Sequence, residues 1–175
     1  VRWLSVATRW NSGYATTWGW ASWRRTWRQV DLDMPYWPQF RDGGTLRQSV
    51  FSSSEAKYWR GIYDAIHERR VKNAWDYQLM LACRRFNFLT IVPSVNLVSN
   101  VGFGPDATNC QDSNSSVSNL KAHRMTFPLV HPEQVQASLQ LDYRIFRQCY
   151  LPYRWVRWSR RVPGLFKLLE SLSWV

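Results

Sequence analysis

Residues 52–66 read SSSEAKYWRGIYDAI, and this stretch carries the clearest structural signal in the chain. The serines before Glu55 are suited to capping a helix, because their side-chain oxygens can accept hydrogen bonds from free backbone N–H groups. Apolar side chains then recur at every third or fourth position and form one stripe: Tyr58, Trp59, Ile62, Tyr63 and Ile66. This pattern predicts a helix over about residues 55–69.

The segments around this helix give further signals. Residues 75–87 place apolar side chains on one side of a helical wheel and predict a second helix, and residues 88–93 are β-branched, end in proline and predict a short buried strand. A short helix is predicted over residues 22–31, followed by an extended or turning path where two prolines occur in residues 34–38. Residues 1–12 show no clear period and receive no assignment.

Composition limits the classes of partner. The net charge of +11 and the pI near 10.1 indicate an anionic partner, which could be a nucleic acid, an acidic membrane face or a phosphorylated substrate. Arginine doublets such as Arg84-Arg85 are interpreted as solvated faces. No apolar run approaches the roughly 18–20 residues of a membrane-spanning helix. The three distant cysteines favour free thiols in a reducing compartment, with neither a disulfide nor a zinc site.

Tryptophan is the most unusual feature of the composition. Four of the twelve tryptophans lie within residues 18–27, which read WGWASWRRTW. A flat side chain with one polar N–H suits a surface that binds ring-shaped partners such as sugars or bases. Because Trp18 and Trp20 flank Gly19, the backbone can approach a ligand while a ring forms a platform for a sugar. Packing in an aromatic corner is the alternative for each ring.

The second half of this segment has helical spacing. Trp23 and Trp27 lie four residues apart and are therefore expected in the core. Arg24 and Arg25 carry planar guanidinium groups that suit diphosphate oxygens, with a surface position as the alternative for at least one of them.

Three segments occur in an order that resembles one family: residues 18–27, residues 75–78 (WDYQ) and residues 96–104 (NLVSNVGFG). Over about residues 14–132 the chain resembles the C-terminal half of family 2-type GT-A glycosyltransferases, and most closely the bacterial hemolytic-protein-like nucleotide-diphospho-sugar transferases. The resemblance implies an α/β fold, the acceptor-side part of a Rossmann-like domain. Its nucleotide-binding half would precede this chain, which opens without an initiator methionine and is expected to be a fragment. The regions are an unassigned piece (1–13), the transferase half (14–140) and a basic aromatic tail (141–175).

The resemblance places a catalytic aspartate at Asp76, at the start of the second predicted helix. Sugar transfer with inversion needs a carboxylate that removes the acceptor hydroxyl proton, and a helix N-terminus keeps a carboxylate ionised. The alternative is a helix-start residue that satisfies backbone N–H groups. Trp75 and Gln78 stand where the wider superfamily has acidic residues, and both are assigned to the substrate site.

The third segment opens a loop rich in glycine, amide and hydroxyl groups. Such a loop could close over the donor and offer hydrogen bonds to phosphate or sugar, with an ordinary glycine turn as the alternative. Its candidate contacts are Asn100, Gly102, Gly104, Asp106 and Thr108.

The resemblance also implies a divalent cation, Mg or Mn, on the donor diphosphate. Asp31-Leu32-Asp33 has the Asp-x-Asp pattern but follows a predicted helix and not a buried strand, so it is interpreted as a solvated turn. The metal motif is expected in the preceding half, and none is assigned here. Asn109 replaces a histidine of close relatives, and His131 is a candidate substitute, with a structural or exposed position as the alternative.

The tail, residues 141–175, interleaves aromatic and basic side chains and suits an anionic membrane surface. A nucleic-acid contact, a helix packed on the domain and a linker are the alternatives.

The predicted function is transfer of a sugar from a nucleoside-diphosphate sugar to an acceptor hydroxyl, in surface polysaccharide or glycolipid synthesis, with no activity in the isolated fragment. The predicted location is the cytoplasm, and a peripheral position on the inner face of the membrane is compatible with it. The alternative is a non-catalytic module that binds nucleic acid or an anionic membrane.

Overall fold

The computed structural model describes residues 9–71, 75–103, 107 and 118–151. These residues form a mixed α/β structure with a small antiparallel sheet and several helices. The elements in chain order are β1 (Arg9–Ser12), α1 (Arg24–Trp27), α2 (Trp37–Asp42), α3 (Thr45–Gln48), α4 (Ser53–His67), α5 (Trp75–Arg85), β2 (Thr90–Pro93), α6 (Leu139–Ile145) and a π-helix (Phe146–Tyr150) that continues from α6.

Helix α4 confirms the strongest expectation from the sequence. Its N-cap is Ser52, whose hydroxyl oxygen accepts a hydrogen bond from the backbone N–H of Glu55 at 3.2 Å. Trp59 and Tyr63 are fully buried on its apolar face. Since burying one large apolar side chain contributes about 2 kcal/mol, this face anchors the fold.

The core forms between α4 and its neighbours. Its buried members come from the segment after β1, from α2 to α5 with the loop before α2, and from the π-helix: Tyr14, Met34, Trp37, Phe40, Leu46, Trp59, Tyr63, Ile66, Met80, Leu81 and Phe146. Leu141 of α6 is also buried. The described start of the predicted tail therefore packs on the domain, and the remainder, residues 152–175, lies outside the described residues.

A polar network lies inside this core. Glu55 and Arg84 are almost fully buried, and their nearest charged atoms, Oε1 and Nη2, are 3.7 Å apart. The Tyr14 hydroxyl donates a hydrogen bond to the same Glu55 oxygen and accepts one from the Trp59 indole N–H at 3.1 Å. Burial raises the pKa of Tyr14, so its hydroxyl stays protonated and can donate. The guanidinium also donates to the Ser49 carbonyl at 2.8 Å.

Strand β1 is fixed to α6 by a carboxylate. Asp142 accepts hydrogen bonds from the Ser12 hydroxyl at 2.5 Å and from the Gly13 backbone N–H at 3.1 Å. Burial raises the pKa of this carboxyl, and the two hydrogen bonds act against that rise. These contacts hold the point at which the chain leaves β1 and enters the tryptophan-rich segment.

Two predicted elements are present but differ from the prediction, α5 in its length and β2 in its burial. Helix α5 begins at the predicted residue and ends two residues early, at Arg85. The strand over 88–93 is β2, but it is half exposed and not buried, since Ile91 retains 60% of its accessible surface. The reason is that, among the described residues, β2 pairs only with β1. The register runs from Arg9 opposite Pro93 to Ser12 opposite Thr90.

The expectations for residues 22–42 need correction. The helix predicted over 22–31 is the single turn α1. The extended or turning path predicted over 34–38 is a turn at Pro35 and Tyr36 but becomes helix α2 from Trp37 onward, with Pro38 in its first turn. Proline is accepted there because its missing N–H has no helical partner to lose. Within the described residues, no helix has the length and apolar character that crossing a membrane requires.

Candidate functional site

A cleft of about 690 Å³ lies between the tryptophan-rich segment and β2. Trp18, Gly19 and Trp20 line one side, and residues 88–98 and Asn100 line the other. Its volume lies in the range of about 300–1,000 Å³ that small-molecule sites occupy. The first and third family-like segments therefore share one concave surface.

Direct packing joins these two segments. Gly19 has a φ of +59°, which favours glycine, and a Cβ at this position would lie 2.4 Å from Cγ2 of Val98. The Trp18 ring meets Phe103 edge-on at a centroid distance of 5.8 Å. Glycine is thus required by both the backbone conformation and the contact, and the cleft depends on it.

We expect Gly19→Ala to lower the free energy of unfolding by about 3 kcal/mol, because it adds a steric clash to an unfavourable backbone conformation. Gly44 provides a matched control: its φ is +76° and nothing lies within 4 Å of the added Cβ. Gly44→Ala should therefore cost only about 1 kcal/mol. Urea unfolding of both variants measures the difference, and Val98→Ala should restore part of the loss in Gly19→Ala. Equal losses at the two glycines would show that the contact with Val98 is unimportant.

The second family-like segment contacts the tryptophan-rich segment through Trp75, which does not itself line the cleft. Its ring stacks on Trp20 at 5.7 Å with an interplanar angle of 26°, and Trp27 lies 6.0 Å from both rings. The three rings are partly exposed, at 38–45%. A stack of this kind is held by about 1 kcal/mol per pair and presents flat apolar faces to solvent.

Trp23 and Trp27 were predicted to be core residues, and the structure contradicts this. Trp23 is 66% exposed and Trp27 is 45% exposed. Helix α1 is a single turn, too short to bury a face, and it has no buried residue. Trp27 supports the surface cluster and not the interior.

Asp76 is half-buried in the first turn of α5, next to Trp75. The helix dipole favours a carboxylate at this end. Asp76 is not among the described residues that line the cleft.

Gln78 is buried and its amide N–H donates to the Leu32 carbonyl at 2.5 Å. This contact ties α5 to the turn that contains Asp31 and Asp33. Gln78 does not line the cleft. Its side chain, predicted to contact substrate, forms a hydrogen bond within the protein instead.

The loop of the third segment is held by its own amides. Asn100 lines the cleft, and its side-chain oxygen accepts from the Gly102 N–H at 2.9 Å. Asn96 donates to the carbonyls of Val98 at 2.8 Å and Lys121 at 3.0 Å. These bonds shape the wall behind Gly19. The other candidates of this loop, Gly104, Asp106 and Thr108, lie outside the described residues.

Two candidates lie away from the cleft lining. His131 accepts a hydrogen bond from Arg9 Nε at 2.5 Å, on an exposed surface beside β1. Arg24 is exposed on α1 and makes no ion pair within the described part of the chain.

The two carboxylates of the Asp31-Leu32-Asp33 turn have partners within the chain. Asp31 accepts a hydrogen bond from the backbone N–H of Asp33 at 3.0 Å, and Asp33 lies 3.6 Å from the guanidinium of Arg69. Both aspartates are exposed, as expected of a solvated turn. Across the ranges that the structure describes, no three His, Cys, Asp or Glu side chains are grouped as metal binding requires.

Cys83 lines the cleft from α5 as a free thiol. Burial raises its pKa to about 11, so the thiol is neutral at physiological pH and acts as an apolar wall. Cys149 is also free.

The cleft combines a flat aromatic surface with a close contact between Gly19 and Val98, and the Asp76 carboxylate lies outside the cleft lining, in the first turn of α5. Flat rings suit the apolar face of a sugar, and the carboxylate suits removal of a hydroxyl proton. Comparisons of the chain with protein-family models, curated proteins and solved structures found no match.

Proposed function

We propose that this chain is the acceptor-side part of a GT-A glycosyltransferase, which transfers a sugar from a nucleoside-diphosphate sugar to an acceptor hydroxyl. The observation that carries the proposal is the convergence of three segments that are distant in sequence. Residues 18–20, Trp75 and residues 96–103 meet through the Gly19–Val98 contact, the Trp18–Phe103 contact and the Trp20–Trp75 stack. Packing of an ordinary core does not account for their exposure.

In this proposal the exposed rings receive the apolar face of a sugar. Trp20 both lines the cleft and stacks on Trp75, so its orientation is fixed before a ligand arrives. Gly19 lets the tryptophan-rich segment pack closely on Val98, which helps to fix the position of Trp20. Asp76, next to Trp75 in the first turn of α5, is proposed to accept the proton of the attacking hydroxyl.

The donor nucleotide and a divalent cation belong to the nucleotide-binding half, which the family resemblance places in a preceding segment. Such a cation, if bound there, would supply charge neutralisation at the donor diphosphate. Within this chain the proposed tasks are acceptor orientation and proton removal. A cytoplasmic location, at the inner face of a membrane, follows from the nucleotide-sugar donor and the basic tail.

A substitution in the aromatic platform tests the proposal. In the protein as the gene encodes it, Trp20→Ala should raise the KM for the acceptor about fivefold and leave the KM for the donor unchanged, because a stacked ring contributes about 1 kcal/mol. Phe51→Ala is the matched control, since Phe51 is 50% exposed and does not line the cleft. Initial rates of nucleotide release at varied acceptor give both constants. An unchanged acceptor KM in Trp20→Ala would remove the platform from the mechanism.

A further inference from the structure

A second groove adjoins the cleft and shares a wall with it. The groove has a volume of about 630 Å³ and lies between α1, the end of α5 and Val135. Trp23, Thr26, Phe88 and Leu89 line both cavities. Trp23 is therefore a ridge between them, and it is the most exposed ring of the tryptophan-rich segment, at 66%.

The side chains of the groove suit a carbohydrate. Phe86 and Phe88 stack at 5.5 Å with an interplanar angle of 24°, and both line the groove. Gln29 and Asn87 add exposed amides, which can donate to and accept from sugar hydroxyls. Flat rings next to amide groups match the two faces of a sugar ring, one apolar and one polar.

One cation sits on the ridge. The Arg25 guanidinium carbon lies 5.0 Å from the centroid of the Trp23 ring, so the two side chains orient each other. Arg25 forms no ion pair among the described residues, and no acidic side chain from them lines either cavity. A guanidinium in this position can pair with a carboxylate or phosphate through two parallel hydrogen bonds.

We propose that the ligand of this combined surface is an oligosaccharide with acidic groups, which extends from the cleft over Trp23 into the groove. The identification of this oligosaccharide as the acceptor rests on the proposed function. Single-stranded nucleic acid fits less well, because its backbone carries one phosphate per nucleotide and Arg25 is the one Lys or Arg among the described lining residues. The acidic group is a uronic acid carboxylate or a sugar phosphate.

Calorimetric titration without donor tests the proposal in the protein as the gene encodes it. The ligands are hexagalacturonate, digalacturonate, the neutral cellohexaose, a phosphorylated maltohexaose and a thymidine hexanucleotide. We expect one of the acidic hexasaccharides to bind about tenfold more tightly than digalacturonate and than cellohexaose, a difference of about 1.4 kcal/mol that one further aromatic or charged contact can supply. The better acidic ligand identifies the group that Arg25 meets. Tighter binding of the thymidine hexanucleotide than of every saccharide would overturn the assignment.

Substitutions at Trp23 and Arg25 provide a second test of the proposal. Trp23→Ala should weaken the hexasaccharide about tenfold and leave the disaccharide within about twofold. Arg25→Gln should weaken only the acidic ligands, while Arg28→Gln and Phe51→Ala serve as controls outside both cavities. Equal affinity for short and long saccharides, or no effect of Trp23→Ala, would overturn the proposal. Specific binding of the acidic hexasaccharide without sugar transfer from any donor would instead contradict the proposed function and leave the surface assignment intact.

Discussion

Replacing Asp76 with asparagine should lower kcat for sugar transfer about a thousandfold, because a positioned general base contributes about 10² to 10⁴ in rate. The amide has nearly the same shape as the carboxylate but cannot accept the hydroxyl proton. The donor should still bind with an affinity within about twofold of the original protein, since its contacts lie elsewhere. Steady-state kinetics and titration of the donor measure the two quantities separately.

Asp33→Asn is the matched control for this substitution. Asp33 is exposed, belongs to the Asp-x-Asp turn and pairs with Arg69 at 3.6 Å, so its loss should leave kcat and metal dependence unchanged. Full turnover in Asp76→Asn would exclude Asp76 as the base. A large loss of activity in Asp33→Asn would instead assign the metal motif to this turn.

The second large effect concerns stability. Glu55→Ala should lower the free energy of unfolding by about 4 kcal/mol, because it leaves the Arg84 guanidinium buried without its carboxylate. The Glu55 carboxylate also accepts hydrogen bonds from the Tyr14 hydroxyl and from the Phe51 backbone N–H at 3.1 Å. Urea unfolding followed by circular dichroism measures the loss.

A double substitution separates the ion pair from the packing around it. Glu55→Met with Arg84→Met removes both charges and keeps apolar volume, so the double variant should be more stable than Glu55→Ala by about 2 kcal/mol. If the single substitution costs less than about 1 kcal/mol, the pair is solvated in solution and the network does not organise the core.

Some of this fold could be predicted from the sequence. In α4 and α5 the helical repeat of apolar residues extends over many positions, and in α4 the Ser52 cap is an independent signal. Local helix preference and the pattern of burial therefore predict the same structure. Strand β1 could not be assigned because four residues hold too short a pattern. Its pairing with β2 and its anchor on Asp142 join residues that are far apart in the sequence.

The buried charge was beyond sequence reasoning. Arg84 belongs to a doublet that resembles a solvated face, and Arg85 is indeed exposed. Arg84 is 6% exposed because its position on α5 faces Tyr14 and Trp59, with guanidinium-to-ring distances of 4.7 and 5.5 Å. Helical periodicity separates the two arginines by 100°, and only tertiary packing decides which one is enclosed.

Individual residues of the candidate site could be predicted from the sequence, but the contacts between them could not. Gly19 between two tryptophans suggested a close approach, and the structure identifies Val98 as its neighbour. The stacking of Trp20 on Trp75 has no sequence signal, since the two rings are distant in sequence. The exposure of Trp23 follows from the brevity of α1, which helical spacing alone could not reveal.

The most direct measurement of the central claim is release of nucleoside diphosphate by the protein as the gene encodes it. A panel of UDP-, GDP- and dTDP-sugars is incubated with acidic and neutral oligosaccharide acceptors, and the product is identified by mass spectrometry. We predict release that depends on acceptor, adds one sugar to it and disappears in Asp76→Asn but not in Asp33→Asn. Release at the same rate in Asp76→Asn, or no transfer from any donor, would contradict the account.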